Sequence, residues 1–163
     1  MDGGASDMIQ CRRMTQESVP DAFRLLSVFL SQDDHYLDSS RAYGDGGIAA
    51  LRTALELFLR RPELGFVWLA YEGGEPVAVC VVSWAISTSI GAVVAKLDDV
   101  YVSEAQQGRG IGSAHLSQLK AELHQLGVRR IDTSVHLQNE PARRFYGRHG
   151  FKPLNEERLA CVL

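Results

Sequence analysis

Cysteine is scarce in this chain and scattered. The three cysteines of the 163 residues, Cys11, Cys80 and Cys161, lie far apart in apolar, strand-like surroundings, with the spacing of neither a disulfide framework nor a metal site. They are expected to be buried, reduced thiols. The five histidines, His35, His115, His124, His136 and His149, show no ligand spacing either, and no metal is expected. There is no apolar run long enough to cross a bilayer, and residues 1–7 have neither the basic region nor the apolar core of a signal peptide. The expectation is a soluble, cytoplasmic protein with a flexible residue 1–7 segment and no membrane partner. Basic charge is not in excess: 17 Lys and Arg against 20 Asp and Glu give a net charge of −3, which argues against a general nucleic-acid binder. Internal repeats and low-complexity tracts are missing as well.

What remains is ordinary globular composition, 45% hydrophobic and 23% charged, in a chain long enough to bury one sizeable core. A single domain over residues 1–163 is expected. Residues 8–14 read as a short first strand. A helix follows from Ser18, with Val19, Phe23, Leu26 and Leu30 on one face and Pro20 and Asp21 in its first turn. A second helix starts at Gly47, with Ile48, Leu51, Leu55 and Phe58 on one face, and ends at Pro62. Residues 66–71 and 77–84 are nearly continuous apolar runs around a Glu-Gly-Gly-Glu-Pro turn, so they predict a hairpin buried on both faces. With a strand over 93–103 they make an antiparallel meander. Leu116, Leu119, Leu123 and Leu126 then mark a helix stopped by Gly127. Residues 129–136 alternate as a strand. Asn139 caps a last helix carrying Ala142, Phe145 and His149 on one face, and residues 151–153 and 158–163 are expected to be closing strands.

Two stretches carry candidate chemistry. Residues 31–45 hold four aspartates and one arginine with no clear period. This reads either as a solvated surface loop or as a binding surface for a cationic substrate, through Asp33, Asp34 and Asp38. Gly108, Gly110 and Gly112 form a turn between the strand 93–103 and the following helix. Such a turn lets backbone N–H groups approach an anion at a helix start. It is not a P-loop, because no Lys-Ser/Thr follows the last glycine, and it is not G-x-G-x-x-G. It also follows the third strand of a meander, where a dinucleotide fold places its glycine turn after the first strand of a parallel unit.

The turn does match Q/R-x-x-G-x-G/A, as Gln107-Gly108-Arg109-Gly110-Ile111-Gly112, after the strand segment Asp99-Val100-Tyr101-Val102. Asn139-x-x-Ala142-x-x-Phe145-Tyr146, followed by Gly150-Phe151, matches a second signature in the expected order. On these two motifs the chain resembles the GCN5-related N-acetyltransferase (GNAT) superfamily, from about residue 8 to its end. The resemblance implies an α/β (α+β) fold with a mixed, mainly antiparallel sheet flanked by helices, and acetyl-CoA as cosubstrate. It implies that Gln107, Gly108, Arg109, Gly110, Ile111, Gly112 and Ser113 hold the pyrophosphate. The backbone of Val100, Tyr101 and Val102 would pair with pantetheine. Asn139 would contact the pantetheine arm, beside Ala142 and Phe145 of the same motif, and Tyr146 would lie near the sulfur.

A phenol with an ordinary pKa near 10 can protonate a leaving thiolate, which suits Tyr146 to the general-acid role. An acceptor amine arrives protonated, so a carboxylate is needed to bind it and remove a proton. Asp98 and Asp99 stand in the central strand and are expected to point to opposite faces. Resemblance divides between them. Polyamine and thialysine acetyltransferases carry L-E-D-I/L-Y-V, which places the base at Asp98. Several aminoglycoside acetyltransferases carry their strand aspartate at the place of Asp99. The acidic residues point to a small cationic acceptor; the alternatives are a protein or peptide acceptor and a non-catalytic acyl-CoA-binding module. Homodimers are frequent among such proteins.

Overall fold

A computed structural model describes residues 8–163; the expectation for residues 1–7 lies outside the described residues. The elements in order are β1 (Ile9–Arg13), a 3-10 turn (Gln16–Ser18), α1 (Val19–Gln32), α2 (Asp34–Ser40), α3 (Gly47–Arg60), β2 (Gly65–Glu72), β3 (Glu75–Ser87) and β4 (Ala92–Val102). A second 3-10 turn (Glu104–Gln106) leads to α4 (Ile111–Gln125), β5 (Ile131–Thr133) and α5 (Glu140–Arg148). The five strands form one sheet in chain order, with β1 to β4 antiparallel and β5 parallel to β4. Among the described residues no helix is long and apolar enough to cross a membrane.

The apolar runs of β2 and β3 are continuous because each strand feeds two layers. Side chains alternate across a strand. Val67, Leu69, Tyr71 and Val79 therefore pack with Leu25 and Leu26 of α1 and Leu51 and Leu55 of α3. Their neighbours Phe66, Trp68, Cys80 and Val82 pack with Leu116, Leu119 and Leu123 of α4. Fully burying each such leucine is worth roughly 1.5–3 kcal/mol, so both helical layers are anchored by the same two strands.

Several local expectations differ. Residues 31–45 are not one loop. Asp33 caps α2, its Oδ1 accepting the Tyr36 N–H at 2.8 Å, and a polar seven-residue helix gives too little apolar periodicity to be visible in sequence. On α3 the buried stripe begins at Leu51, and Ile48 in the first turn is exposed. Of the thiols only Cys80 is buried; Cys11 is partly buried and Cys161 exposed. The strand expected over 129–136 shrinks to Ile131–Thr133, because β4 turns away after Leu97 pairs with Thr133. Neither closing strand forms. Phe151 docks its ring 5.2 Å from that of Tyr146, and residues 152–163 are exposed with no helix or strand. A three-residue β5 offers little edge to pair with, and strand propensity is realised only beside a neighbour.

Candidate active site

Opposite the single residue Cys80 of β3, β4 carries two, Asp99 and Val100: Val81 pairs with Asp98, and Val79 with Tyr101. This β-bulge breaks the expected alternation. Leu97 and Val100 both pack on the α4 side, while Tyr101 packs on the α1 side. Asp99 takes up the extra residue in the left-handed region, at φ 53. That conformation costs a side-chain-bearing residue about 1–2 kcal/mol, less for Asp than for most. The two aspartates thus have different environments. Asp98 continues the face of Lys96 and pairs with its ammonium at 3.5 Å. The Asp99 carboxylate makes no hydrogen bond among the described residues, and burial, reinforced by the Asp98 charge and opposed by Arg158 and Lys96, pushes it up to about 6.

Where β4 bulges it also leaves β5, since pairing stops at Leu97 and Thr133. Residues 98–102 therefore have a backbone edge facing an opening between the two strands. Tyr146 of α5 belongs to the cluster on the α4 side, with its ring against Phe145 and Phe151 at 5.3 and 5.2 Å. Burial pushes its hydroxyl up to about 12; a hydrogen bond with Thr133 opposes this and the nearby Cys80 and Asp98 add to it. The phenol is therefore fully protonated at neutral pH. Below this region lies a support that sequence did not reveal: His115 Nε2 sits 3.1 Å from the Trp68 carbonyl, and the Trp68 indole donates to the His115 carbonyl at 3.2 Å. Burial brings the His115 imidazole down to about 4, so it is a neutral part of the core.

At the far end of β4 the glycine turn opens onto α4. Gly110 caps the helix at φ 78, a conformation glycine adopts without penalty. The first bonded amide of the helix is that of Ala114, to Gly110 O at 3.1 Å. Among the described residues the amides of 108–113 have no acceptor, which concentrates the positive end of the helix on this turn. A Cβ on Gly112 would stand 3.5 Å from the Phe145 ring and 3.6 Å from Val102, so this is where the two sequence motifs meet. Asn139 caps α5, its Oδ1 accepting the Ala142 N–H at 3.2 Å, and Ser113 Oγ lies 2.9 Å from His149 Nε2. Gln107 donates to the Val102 carbonyl at 3.0 Å. Arg109 is held by both Glu72 oxygens, at 3.0 and 3.3 Å, and by Gln106.

The acidic segment is tied to the chain after β5 by one of its aspartates. Asp33 is engaged as a helix cap and Asp34 is exposed. Asp38 bonds His136 Nε2 at 2.7 Å across 98 residues, and that bond holds its carboxyl below the usual range. His136 Nδ1 accepts the Gln138 N–H at 3.1 Å, so the ring donates from Nε2. Its face lies 4.8 Å from His35. The aromatic row Tyr36, Phe29, Tyr101 was also hidden in sequence. Ring separations of 5.5 and 6.2 Å carry it from α2 to β4, and Tyr36 donates to Asp45 at 2.7 Å. Beyond Tyr101 lies a hollow of about 380 Å³ bordered by Arg24, Val28 and Ser103. Among the described residues no group of three or more His, Cys, Asp or Glu could hold a metal ion.

Residues 29–151 match the family model described as Acetyltransferase (GNAT) family. Comparison with curated proteins gives no match. Among solved structures, an integron cassette protein from the mobile metagenome of Cole Harbour Salt Marsh is 28% identical, with a TM-score of 0.74 over 98% of this chain and 93% of that one. A ribosomal-protein-alanine N-acetyltransferase from Brucella melitensis biovar Abortus shares the fold at 12% identity, with a TM-score of 0.73 over 94% of this chain and 99% of that one. An aminoglycoside acetyltransferase from an uncultured soil metagenomic sample, crystallised with sisomicin, does so at 15% identity, with a TM-score of 0.68 over 96% and 95%. The two motifs that meet at Gly112 and Phe145 both lie within the matched span, and the chain belongs to the GNAT acetyltransferase family.

Proposed function

We propose that the protein transfers the acetyl group of acetyl-CoA to a primary amine of a small cationic acceptor, of aminoglycoside or polyamine type, by direct attack. The observation that carries this reading is the opening where β4 leaves β5. Asp99 stands in the bulge at one end, and the unbonded amides of 108–113 lie at the other.

These residues suit acetyl-CoA as the donor substrate. Six consecutive free amides at a helix start form a cradle for a pyrophosphate. The free edge of 98–102 suits the amide-bearing pantetheine arm as an added strand. Phe145 of α5 closes the turn against Gly112, and Asn139 and Ala142 of the same motif are assigned to the pantetheine arm. Arg109, tied to Glu72, lends positive charge to the turn.

On the acceptor side, a carboxyl brought up to about 6 is ionised at neutral pH yet basic enough to take a proton from a bound ammonium. Asp99 is the better base of the two, because Asp98 is engaged by Lys96. Aromatic faces at Tyr36, Phe29 and Tyr101, together with Asp38 and Asp45, favour a cation. In the reaction the freed amine lone pair forms the new N–C bond at the thioester carbonyl and the C–S bond breaks. Asp99 takes one proton from the ammonium before attack and releases it to solvent, the Tyr146 hydroxyl proton goes to the departing thiolate, and the second proton, lost from the nitrogen of the tetrahedral intermediate, restores the Tyr146 phenol through water.

The test is thiol release from acetyl-CoA with a panel of polyamines, aminoglycosides, amino acids and peptides. Turnover with cationic amines is expected. Turnover only with peptide N-termini would favour the protein-acetyltransferase alternative, and acetyl-CoA binding with no turnover would favour a non-catalytic module.

A further inference from the structure

Arg109 is the one residue with a side chain in the stretch 108–110 of the glycine turn. Gly108 before it and Gly110 after it both sit in the left-handed region, at φ 78. Apart from their chain neighbours, no atom lies within 4 Å of where a Cβ would stand on either, so packing does not hold them. The amides of 108–113 bond nothing among the described residues. Glycine has more backbone freedom to lose than any other residue, so a turn of this composition needs an outside tie to keep one shape.

The Arg109 side chain supplies that tie. It donates to both oxygens of Glu72, from Nη2 at 3.0 Å and from Nη1 at 3.3 Å, and from Nη1 to Gln106 Oε1 as well. Glu72 ends β2, 37 residues away, and Gln106 ends the second 3-10 turn, so the guanidinium fastens the middle of the turn to the sheet and to the segment that enters it. Ion pairs at a surface usually contribute little. This one differs in two respects. The Glu72 side chain is 13% exposed, the lowest of any carboxylate in an ion pair among the described residues, and the two-pronged contact fixes direction as well as distance. By charge alone, however, Glu72 is out of place. A carboxylate beside an anion cradle opposes the anion and occupies the one cationic side chain of residues 107–113. Its contribution is therefore one of position.

We propose that Glu72 is a positioning residue of the donor site: through Arg109 it holds the glycine turn, before any ligand arrives, in the shape whose amides receive the anion. Order already present in the free protein does not have to be imposed on binding, and that difference appears as affinity. What the turn binds rests on the acetyl-CoA reading; what holds the turn does not. The two views of Glu72 differ in sign. Acting by charge, its removal frees Arg109 for the anion and tightens binding. Acting by position, its removal loosens the turn and weakens binding.

The experiment compares the parent chain with Glu72→Ala, Glu72→Gln, Arg109→Ala and the double variant E72A/R109A, by backbone amide relaxation without ligand and by calorimetric titration with acetyl-CoA. In the parent the amides of Gly108, Gly110 and Gly112 should have order parameters near the rigid value of about 0.85, falling below about 0.6 in Glu72→Ala, while the amide spectrum outside residues 103–113 is unchanged and so excludes misfolding. The acetyl-CoA Kd should weaken by about 5–30-fold in Glu72→Ala. Glu72→Gln keeps one oxygen for the guanidinium without the charge and should lie between Glu72→Ala and the parent. Because Glu72 acts through Arg109, E72A/R109A should bind no more weakly than Arg109→Ala alone. Acetyl-CoA binding unchanged or tightened by Glu72→Ala would overturn the proposal, as would additive losses in the double variant or glycine amides equally ordered with and without Glu72. If acetyl-CoA binds neither the parent nor any variant, the donor reading falls, and glycine amides that loosen in Glu72→Ala still establish that Glu72 holds the turn.

Discussion

The glycine end and the aspartate end of β4 both depart from regular backbone, and they do so in opposite ways. At Gly110 a left-handed conformation is occupied by the residue that adopts it freely, and the surrounding amides are left open toward an anion. At Asp99 the same left-handed region is imposed on a side chain that tolerates it less well, in a place where burial also opposes its charge. One end is relaxed and presents backbone; the other is strained and presents a carboxylate. On the proposed function, the difference separates a donor site built from backbone from an acceptor site built around a carboxylate.

Substitutions can break this contrast, and the largest effect belongs to the strained end and its acid partner. Asp99→Asn and Tyr146→Phe are each expected to lower kcat by about 10²–10⁴ while leaving the Kd for acetyl-CoA nearly unchanged. In the parent protein the rate should rise as pH passes through about 6, as Asp99 ionises, and stay level until well into the alkaline range where Tyr146 titrates. Asp99→Asn should erase the acidic limb. Pre-steady-state thiol release and calorimetric acetyl-CoA binding distinguish these outcomes from misfolding.

Next in size is Gly110→Val. Forcing a β-branched residue into φ 78 costs at least about 1–2 kcal/mol, which predicts acetyl-CoA affinity weaker by about 5–30-fold with the chemical step spared. Loss of kcat at saturating donor would contradict the division between the two ends.

A third substitution separates strain from charge. Asp99→Gly keeps the bulge conformation available and removes the carboxylate, so activity should vanish while stability is equal or higher by up to ~1 kcal/mol at neutral pH. The sign with pH follows from the raised carboxyl. Between the ordinary carboxylate value of 3.8 and about 6 the folded protein binds more protons at Asp99 than the unfolded chain, so parent stability falls as pH rises through that window. The stability advantage of Asp99→Gly should therefore grow from pH 4 to pH 6, as read by urea unfolding at each pH. The smallest effect is expected at Asp38→Asn. It weakens the exposed bond to His136, leaves acetyl-CoA binding alone, and raises the acceptor KM by about 2–5-fold.

Much of the glycine end was legible in sequence because its requirements are local. Three glycines in five residues, a capping Asn139 and the Phe145-Tyr146 pair each state a backbone or packing need at a fixed offset, and the fold brings Gly112 against Phe145. The aspartate end was less legible. The bulge depends on a register between β3 and β4 that no window of either strand encodes, and it interrupts the regular alternation along β4. The link between Asp38 and His136 spans 98 residues, and the aromatic row joins α1, α2 and β4. The expected closing strands show the converse. Residues 158–163 have a strand's composition, but composition supplies no neighbour.

By itself the sequence determined the two helical layers on a buried meander, the glycine turn at the start of α4 and the family to which these motifs belong, because apolar period and turn chemistry act over a few residues. The tertiary structure alone decided that β4 bulges at Asp99 and parts from β5, and that Asp98 pairs with Lys96 while the Asp99 carboxylate has no partner among the described residues. Each of those depends on which strands meet and in what register, and register is a property of the packed sheet, not of any one segment.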